Sequence, residues 1–153
     1  MIIKDRKSRI EKPDGCLRWG VCFDSSEKSK KVLQCVLMLM SKNDKLVVYT
    51  VRGEPGQASD DIIRHHIHSK AHEAGVKNFE VDIIDKDSNK RTCEQLEEHI
   101  YSCCSDINKH GYVDFVAVGN VGMNFASRSH EKYLGSVANA ILRMRKLNTI
   151  FVA

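Results

Sequence analysis

The sequence lacks a long hydrophobic run, a secretory leader and a large excess of charge of one sign. No apolar stretch approaches the ~18 residues that a membrane-spanning helix needs, so we expect no membrane association. Residues 1–15 are charged and have no apolar centre, which predicts a flexible lead-in rather than a secretory signal. With 153 residues, 42% of them hydrophobic, the chain is long enough for a single globular domain over residues 16–153.

The net charge is small, and this disfavours a nucleic-acid partner. The 24 lysines and arginines are spread among 20 acidic residues, giving +4 at pH 7, whereas nucleic-acid binders usually concentrate positive charge on one face. A basic cluster does occur between Lys4 and Lys12. We interpret it as a solvated tail in preference to a nucleic-acid arm.

The six cysteines show no C-x-x-C pair, so the common zinc-ribbon and redox spacings are missing. Cys22 and Cys35 lie inside apolar segments, as buried thiols do. Without a secretion signal, we expect reduced thiols and a cytoplasmic location. Cys22 precedes Asp24 by two residues, which leaves a nucleophilic role open, but a buried core thiol is the favoured interpretation.

Hydrophobic periodicity alternates along the chain between the strand and the helix pattern. This order of elements predicts βαβ crossovers and an open, five-stranded parallel α/β sheet with helices on both faces. The predicted strands are residues 17–23, 46–51, 79–84, 113–118 and 149–152, and the predicted helices are 25–41, 59–74, 92–109 and 135–146.

Open α/β sheets bind ligands beyond the carboxyl ends of their strands, which directs attention to the loops there. After the first predicted strand, Asp24 could accept hydrogen bonds from ribose hydroxyls or could cap the following helix by accepting from its N–H groups. After the fourth come Gly119 and Gly122, and the next helix starts at Gly135-Ser136. These features suit either a phosphate cradle or a plain β-to-α turn. The nucleoside-triphosphatase P-loop and the G-x-G-x-x-G fingerprint are both missing.

The chain resembles the universal stress protein family over nearly everything from residue 17 to residue 153. The strand ending in Asp24-Ser25-Ser26 is similar to the family's strand-Asp-x-Ser opening. The segment VDFVAVGNVGMN, followed later by YLGSVANAILRMRKLNTIFVA, is similar to its closing strand, glycine loop, Gly-Ser helix start and final strand. The ATP-binding branch has Gly-x2-Gly-x9-Gly-Ser/Thr, whereas here twelve residues separate Gly122 from Gly135, a three-residue insertion.

The resemblance implies a nucleotide site for ATP or AMP, with Mg²⁺ as an optional companion. Asp24 would face the ribose or the adenine, and Val51 would pack against the adenine. The loop glycines would let the backbone approach the ribose and phosphates, and the helix start would present N–H and hydroxyl groups to the phosphates. The implied nucleotide-binding residues are Cys22, Phe23, Asp24, Val51, Val118, Gly119, Val121, Gly122, Met123, Gly135, Ser136 and Val137.

The resemblance also implies a Rossmann-like, adenine-nucleotide alpha-hydrolase-like sheet of order 3-2-1-4-5 and a homodimer through the last strand. The implied role is regulatory, in a stress response, without strong catalysis. Two alternatives stay open: a dimeric interaction module that binds no nucleotide, which the insertion motivates, and a slow ATP hydrolase.

Two further groups of residues could carry chemistry. His65, His68 and His72 share a helix face and could bind zinc or nickel, but an exposed polar face is the favoured interpretation. In the insertion, the side chains of Arg128, His130 and Lys132 could contact phosphates or could be solvated, and we favour solvation.

Overall fold

The structure, a computed structural model, describes residues 15–106, 108–120, 135–144 and 147–152. In these residues strands and helices alternate from the first element to the last. The strands are β1 (Arg18–Cys22), β2 (Lys45–Val51), β3 (Phe79–Ile84), β4 (Phe115–Gly119) and β5 (Asn148–Val152). The helices are α1 (Glu27–Leu39), α2 (Asp60–Glu73), α3 (Thr92–Cys103) and α4 (Ser136–Arg143).

The five strands form one sheet in the order β3-β2-β1-β4-β5, and every neighbouring pair is parallel. This confirms the predicted fold class and strand order. The order reverses at β1, whose neighbours are β2 and β4. In parallel α/β sheets, a crevice opens at such a point beyond the carboxyl ends of the strands.

The core lies on both faces of the sheet, because successive side chains of a strand point to opposite sides. Leu46 and Val48 of β2 pack in a cluster with buried residues of α1 and α2. Val47, Tyr49 and Val51 of the same strand pack in a second cluster with buried residues of α3 and α4. Burial on both faces explains why β2 is a continuous apolar run rather than an alternating one.

The amino edge of the sheet is fixed by the buried carboxylate of Asp44, which is 2% exposed. Its Oδ1 accepts a hydrogen bond from the Leu17 N–H at 2.9 Å. Its Oδ2 accepts from the Trp19 indole and from the Ser41 N–H, both at 2.9 Å. One side chain therefore joins β1 to the turn that precedes β2.

The predicted third helix was too long, since α3 ends at Cys103 rather than at residue 109. Asp106 explains the difference, because its Oδ1 accepts from the Asn108 N–H at 2.9 Å and its C=O accepts from the Lys109 N–H at 3.0 Å. Such local bonds favour a turn over a continued helix. The other observed elements lie within a few residues of the predicted ranges.

In the part of the chain that the structure describes, no helix is both long enough and apolar enough to cross a membrane. Residues 1–14 of the predicted lead-in lie outside that part.

Candidate functional site

The segment after β1 turns sharply into α1 at the carboxyl edge of the sheet. The Phe23 N–H donates to the Tyr49 C=O at 2.9 Å and thereby continues the pairing with β2. Asp24 is half-buried, and its Oδ1 accepts from the Ser26 N–H at 3.1 Å. Ser26 is the N-cap of α1 and accepts from the Ser29 N–H at 3.1 Å. The cap of α1 is therefore Ser26 rather than Asp24, which bonds only to the N–H of the cap residue, and the role of Asp24 toward ribose stays a prediction.

The loop after β2 is tied back onto this turn. Ser25 has a φ of +62°, an uncommon left-handed conformation for a residue with a side chain. Its Oγ donates to the Asp24 C=O at 2.6 Å and lies 3.1 Å from the Ala58 N–H, which donates to it. The side-chain amide of Gln57, next to Ala58, donates to the hydroxyl of Thr50 in β2 at 2.9 Å. The strained serine holds the β2 loop beside Asp24.

The end of β4 holds the start of α4 in place. The Asn120 N–H donates to the Val152 C=O at 3.2 Å, and the Gly135 N–H donates to the Asn120 C=O at 2.7 Å. Gly135 occupies the N-cap position and has no side chain with which to cap the helix. Among the described residues no N-cap side chain occupies the first N–H groups of α4, and such groups suit water or an anion.

Asn120 was not among the predicted site residues, yet its side chain is distinctive. Its Oδ1 is buried and has no hydrogen-bond partner in the part of the chain that the structure describes. Leaving such an acceptor unsatisfied costs roughly 1–3 kcal/mol, which a ligand or water donor would recover. The sequence held a signal for it, since a polar residue follows Gly119 directly at the end of a buried strand.

The strand registers place the predicted residues along one edge. Cys22 pairs with Tyr49, and Val21 pairs with Ala117. Continued two residues past these pairs, the same registers would put Asp24 beside Val51 and Gly119 beside Phe23. Of the remaining predicted residues, Gly135 reaches this edge through its bond to the end of β4, and Ser136 and Val137 follow it as an exposed and a half-buried residue. Val121, Gly122 and Met123 lie outside the described residues, as do Arg128, His130 and Lys132.

Four of the predicted residues belong to the core rather than to an open surface. Cys22, Val51 and Val118 pack in the cluster beneath α3 and α4, and Phe23 packs in the cluster beneath α1 and α2. Burial, followed by the negative charge of Asp24, raises the pKa of the Cys22 thiol to about 12. Because the thiolate is the reactive form of cysteine, this environment disfavours a nucleophilic role for Cys22.

The histidines of α2 do not gather into a metal site. His65, His68 and His72 are exposed, and the His68 ring lies edge-on to Phe79 with the centroids 5.5 Å apart. They are absent from the one group of three potential ligands found in the described residues. His66, between them, instead stacks on Phe23 with the ring centroids 5.9 Å apart.

Comparison with known proteins finds similarity to solved structures but not to family models or curated sequences. No protein-family model matches the sequence, and no curated protein matches it significantly. Among solved structures, the chain is similar to a universal stress protein in complex with cAMP, with a TM-score of 0.62 and 22% identity over 90% of this chain and 96% of that one.

Two further solved structures are similar over most of their length. A member of the universal stress protein family from Burkholderia pseudomallei matches with a TM-score of 0.55 and 15% identity, over 88% of this chain and 94% of that one. The protein Rv1636 of Mycobacterium tuberculosis matches with a TM-score of 0.54 and 24% identity, over 90% and 94%. The chain therefore has the universal-stress-protein fold, as its sequence resemblance predicted.

Proposed function

We propose that this chain is a universal stress protein that binds an adenine nucleotide and acts in regulation or stress response rather than through strong catalysis. The observation that carries the proposal is the arrangement around Asn120. Its backbone holds the start of α4 at the end of β4, and the N-cap residue of that helix makes no side-chain cap bond. The buried Asn120 Oδ1 has no hydrogen-bond partner among the described residues. An uncapped helix start and a buried acceptor at a topological switch point suit a ligand with both an anionic and a polar part.

In this proposal the nucleoside lies over the ends of β1 and β2. The half-buried Asp24 carboxylate accepts hydrogen bonds from the ribose hydroxyls. The adenine packs near Val51, whose side chain is 3% exposed, so that the contact involves mainly its backbone and the edge of its side chain. The loop that Ser25 holds beside Asp24 forms one wall.

The phosphates lie at the start of α4, where N–H groups and the positive end of the helix dipole favour anions. Ser136 is exposed there and offers a hydroxyl donor. Gly119 and Gly122 allow the backbone to approach the ligand closely. The insertion before Gly135 would lengthen the loop that wraps the phosphates.

ATP and AMP are the ligands that the sequence resemblance suggests, with Mg²⁺ accompanying ATP. The similar universal stress protein in complex with cAMP adds cyclic AMP as a candidate. All of them present an adenosine to the ends of β1 and β2 and differ in the phosphate part. Comparing them therefore tests the α4 end of the site separately from the Asp24 end.

A thermal-shift titration with ATP, ADP, AMP and cyclic AMP tests the proposal. A ligand that binds only the folded state raises the melting temperature as its concentration rises. Asp24→Ala removes the carboxylate proposed to bind ribose and should weaken binding by about 10- to 100-fold, the value of one charge-assisted interaction. The absence of any shift at millimolar concentrations of all four nucleotides would refute the proposal.

Ser26→Ala is the matched control. It removes the cap of α1 and should lower the melting temperature, because such a cap contributes about 1 kcal/mol. It leaves the Asp24 carboxylate in place, so the nucleotide-induced shift should persist. An equal loss of nucleotide response in both variants would mean that Asp24 acts only through the helix cap.

The alternative of an interaction module without a nucleotide is favoured by the three-residue insertion. Mass spectrometry of freshly purified protein separates the two. A co-purified adenine nucleotide at near-stoichiometric amount excludes the module, whereas its absence together with no thermal shift supports it.

The proposal includes a homodimer through β5 and a cytoplasmic location. β5 is the last strand of the sheet formed by the described residues, and an apolar edge strand favours pairing with another strand. The six cysteines, all of them in the described residues, form no disulfide, which suits a reducing compartment.

A further inference from the structure

A second cluster of side chains, each with a potential metal-ligand atom, lies between β3 and α3. β3 is the edge strand on the far side of β2 from β1. Asp82 belongs to β3, and His99 and Cys103 lie four residues apart on α3, so that they share one helix face. The His99 Nε2 lies 2.7 Å from the Asp82 Oδ2. One potential ligand atom from each of the three residues lies within 4.8 Å of the others.

The combination of sulfur, nitrogen and oxygen ligands is characteristic of zinc-class metals. Zn²⁺ binds cysteine sulfur, histidine nitrogen and carboxylate oxygen at about 2.0–2.3 Å, which puts ligand atoms about 3.5 Å apart in a tetrahedral site. Small side-chain movements would bring the three atoms from their present spacing to that one. Calcium and magnesium prefer oxygen ligands alone, so a site with a thiol and an imidazole does not suit them.

The burial of the three residues suits a metal site that is open to solvent and has the cysteine sulfur as its most buried ligand. Cys103 is buried, whereas the side chains of Asp82 and His99 are 23% and 33% exposed. A metal ion entering from solvent would meet the Asp82 carboxylate and the His99 imidazole first and would then reach the more buried Cys103 sulfur. A thiol is deprotonated when it coordinates such an ion.

Two side chains that could supply a fourth ligand, and one glycine, lie near the three residues. His110 and Glu80 lie close by, with the His110 Nε2 3.4 Å from one Glu80 oxygen. The other Glu80 oxygen is buried and has no hydrogen-bond partner among the residues that the structure describes. A Cβ on Gly111 would approach the Cys103 Sγ to 2.9 Å, so only glycine fits against the sulfur. The Gly111 C=O accepts from the buried Tyr49 hydroxyl, which fixes this turn to the sheet.

We propose that Asp82, His99 and Cys103 bind a zinc-class metal ion that links the edge strand β3 to α3, with water or a side chain from Glu80 or His110 as fourth ligand. The site is independent of the nucleotide site at the carboxyl edge. A Cys-His-Asp nucleophilic triad uses the same residue types, but the Cys103 thiol is buried beneath the other two side chains. A reactive cysteine needs an accessible thiolate.

Cobalt substitution tests the proposal directly. The full-length protein, stripped with a chelator and kept reduced, is titrated with Co²⁺ while its absorption spectrum is recorded. We expect one equivalent to give a thiolate-to-cobalt charge-transfer band and tetrahedral visible bands, both lost on adding Zn²⁺. The absence of a charge-transfer band in the wild-type protein would overturn the proposal whatever the variants show.

Cys103→Ser should abolish the charge-transfer band. Loss of a direct ligand should weaken Zn²⁺ binding beyond the 10- to 100-fold that outer-shell changes cause. His99→Gln should also weaken binding while keeping the sulfur. Far-UV circular dichroism on both variants establishes that they are folded, and His99→Gln alone decides the matter if Cys103→Ser does not fold.

Cys104→Ser is the matched control, since Cys104 is the adjacent cysteine and its thiol instead contacts the Val113 C=O. The band should persist in this variant. A His65→Gln/His68→Gln/His72→Gln variant controls for metal bound by the exposed face of α2 and should also keep the band. A band retained in Cys103→Ser or lost in Cys104→Ser would assign the metal to other residues and reject this site.

Discussion

Asp44 illustrates how a single side chain stabilises this fold. Its carboxylate is buried and accepts three hydrogen bonds, from Leu17, Trp19 and Ser41. Asp44→Ala would leave the buried indole and the two backbone N–H groups without their acceptor. Because each bond to a charged group contributes about 1.5–3 kcal/mol, we expect a loss of about 3 kcal/mol or more in the free energy of unfolding, measured by urea denaturation.

The neighbouring Asn43→Ala is the control, since residue 43 is exposed in the same turn. Surface substitutions of this kind usually change stability by less than about 0.5 kcal/mol. A similar small change for Asp44→Ala would show that water replaces the carboxylate at the amino edge.

The contact of α2 with the residue after β1 includes a histidine whose pKa is lowered. The His66 ring stacks on Phe23, and its pKa lies below the ordinary value, chiefly because burial disfavours the charged ring. Lys30 and Lys70 lower the pKa further, and Glu73 and Glu27 oppose them. The unfolded chain therefore binds this proton more readily than the folded protein does.

The sign of the pH effect follows from linkage. The contribution of His66 is fully present above its unfolded pKa of about 6.5 and is lost as the pH falls from there through the lowered folded pKa. We expect His66→Gln to reduce the fall in stability between about pH 7 and pH 5.5. Urea denaturation across this range measures it, with the exposed His65→Gln as control. An unchanged slope in His66→Gln would mean that its stacking does not depend on protonation.

Local patterns predicted the elements but not the contacts that join them. The buried run of β2 and the period of α1 both follow from hydrophobic spacing, and both appear where expected. By contrast, the end of α3 was missed because the side chain of Asp106 competes with the helix for backbone donors. A helix-period pattern carries no information about such side-chain competition.

The sequence also did not predict the hydrogen bonds that join distant residues at the candidate site. The glycine loop and Asp24 were recognised, but the bond that joins Ser25 to Ala58 spans 33 residues. The cluster of Asp82, His99 and Cys103 was also missed, because its members are 17 and 4 residues apart and meet only once β3 lies against α3. A site whose residues lie on different elements can be recognised only once the fold that brings those elements together is known.

The assembly of the whole molecule is the last prediction, and it rests on the outer edge of β5. The Asn120 N–H donates to the Val152 C=O, so Val152 directs its backbone groups toward β4. By the alternation of a parallel ladder, Phe151 directs its N–H and C=O away from β4, toward the proposed partner strand. Replacing this N–H should break pairing between subunits without removing a bond of the sheet itself.

Phe151→Pro should therefore convert the proposed dimer to a monomer in sedimentation-velocity measurements at tens of micromolar protein. Proline lacks the donor, and its ring occupies the position that a paired strand would need. Phe151→Ala is the matched control, because it loses the same aromatic side chain but keeps the N–H, and it should remain dimeric. A monomeric wild-type protein would reject the dimer outright. A dimeric Phe151→Pro variant would move the interface away from β5 and leave that edge for another partner.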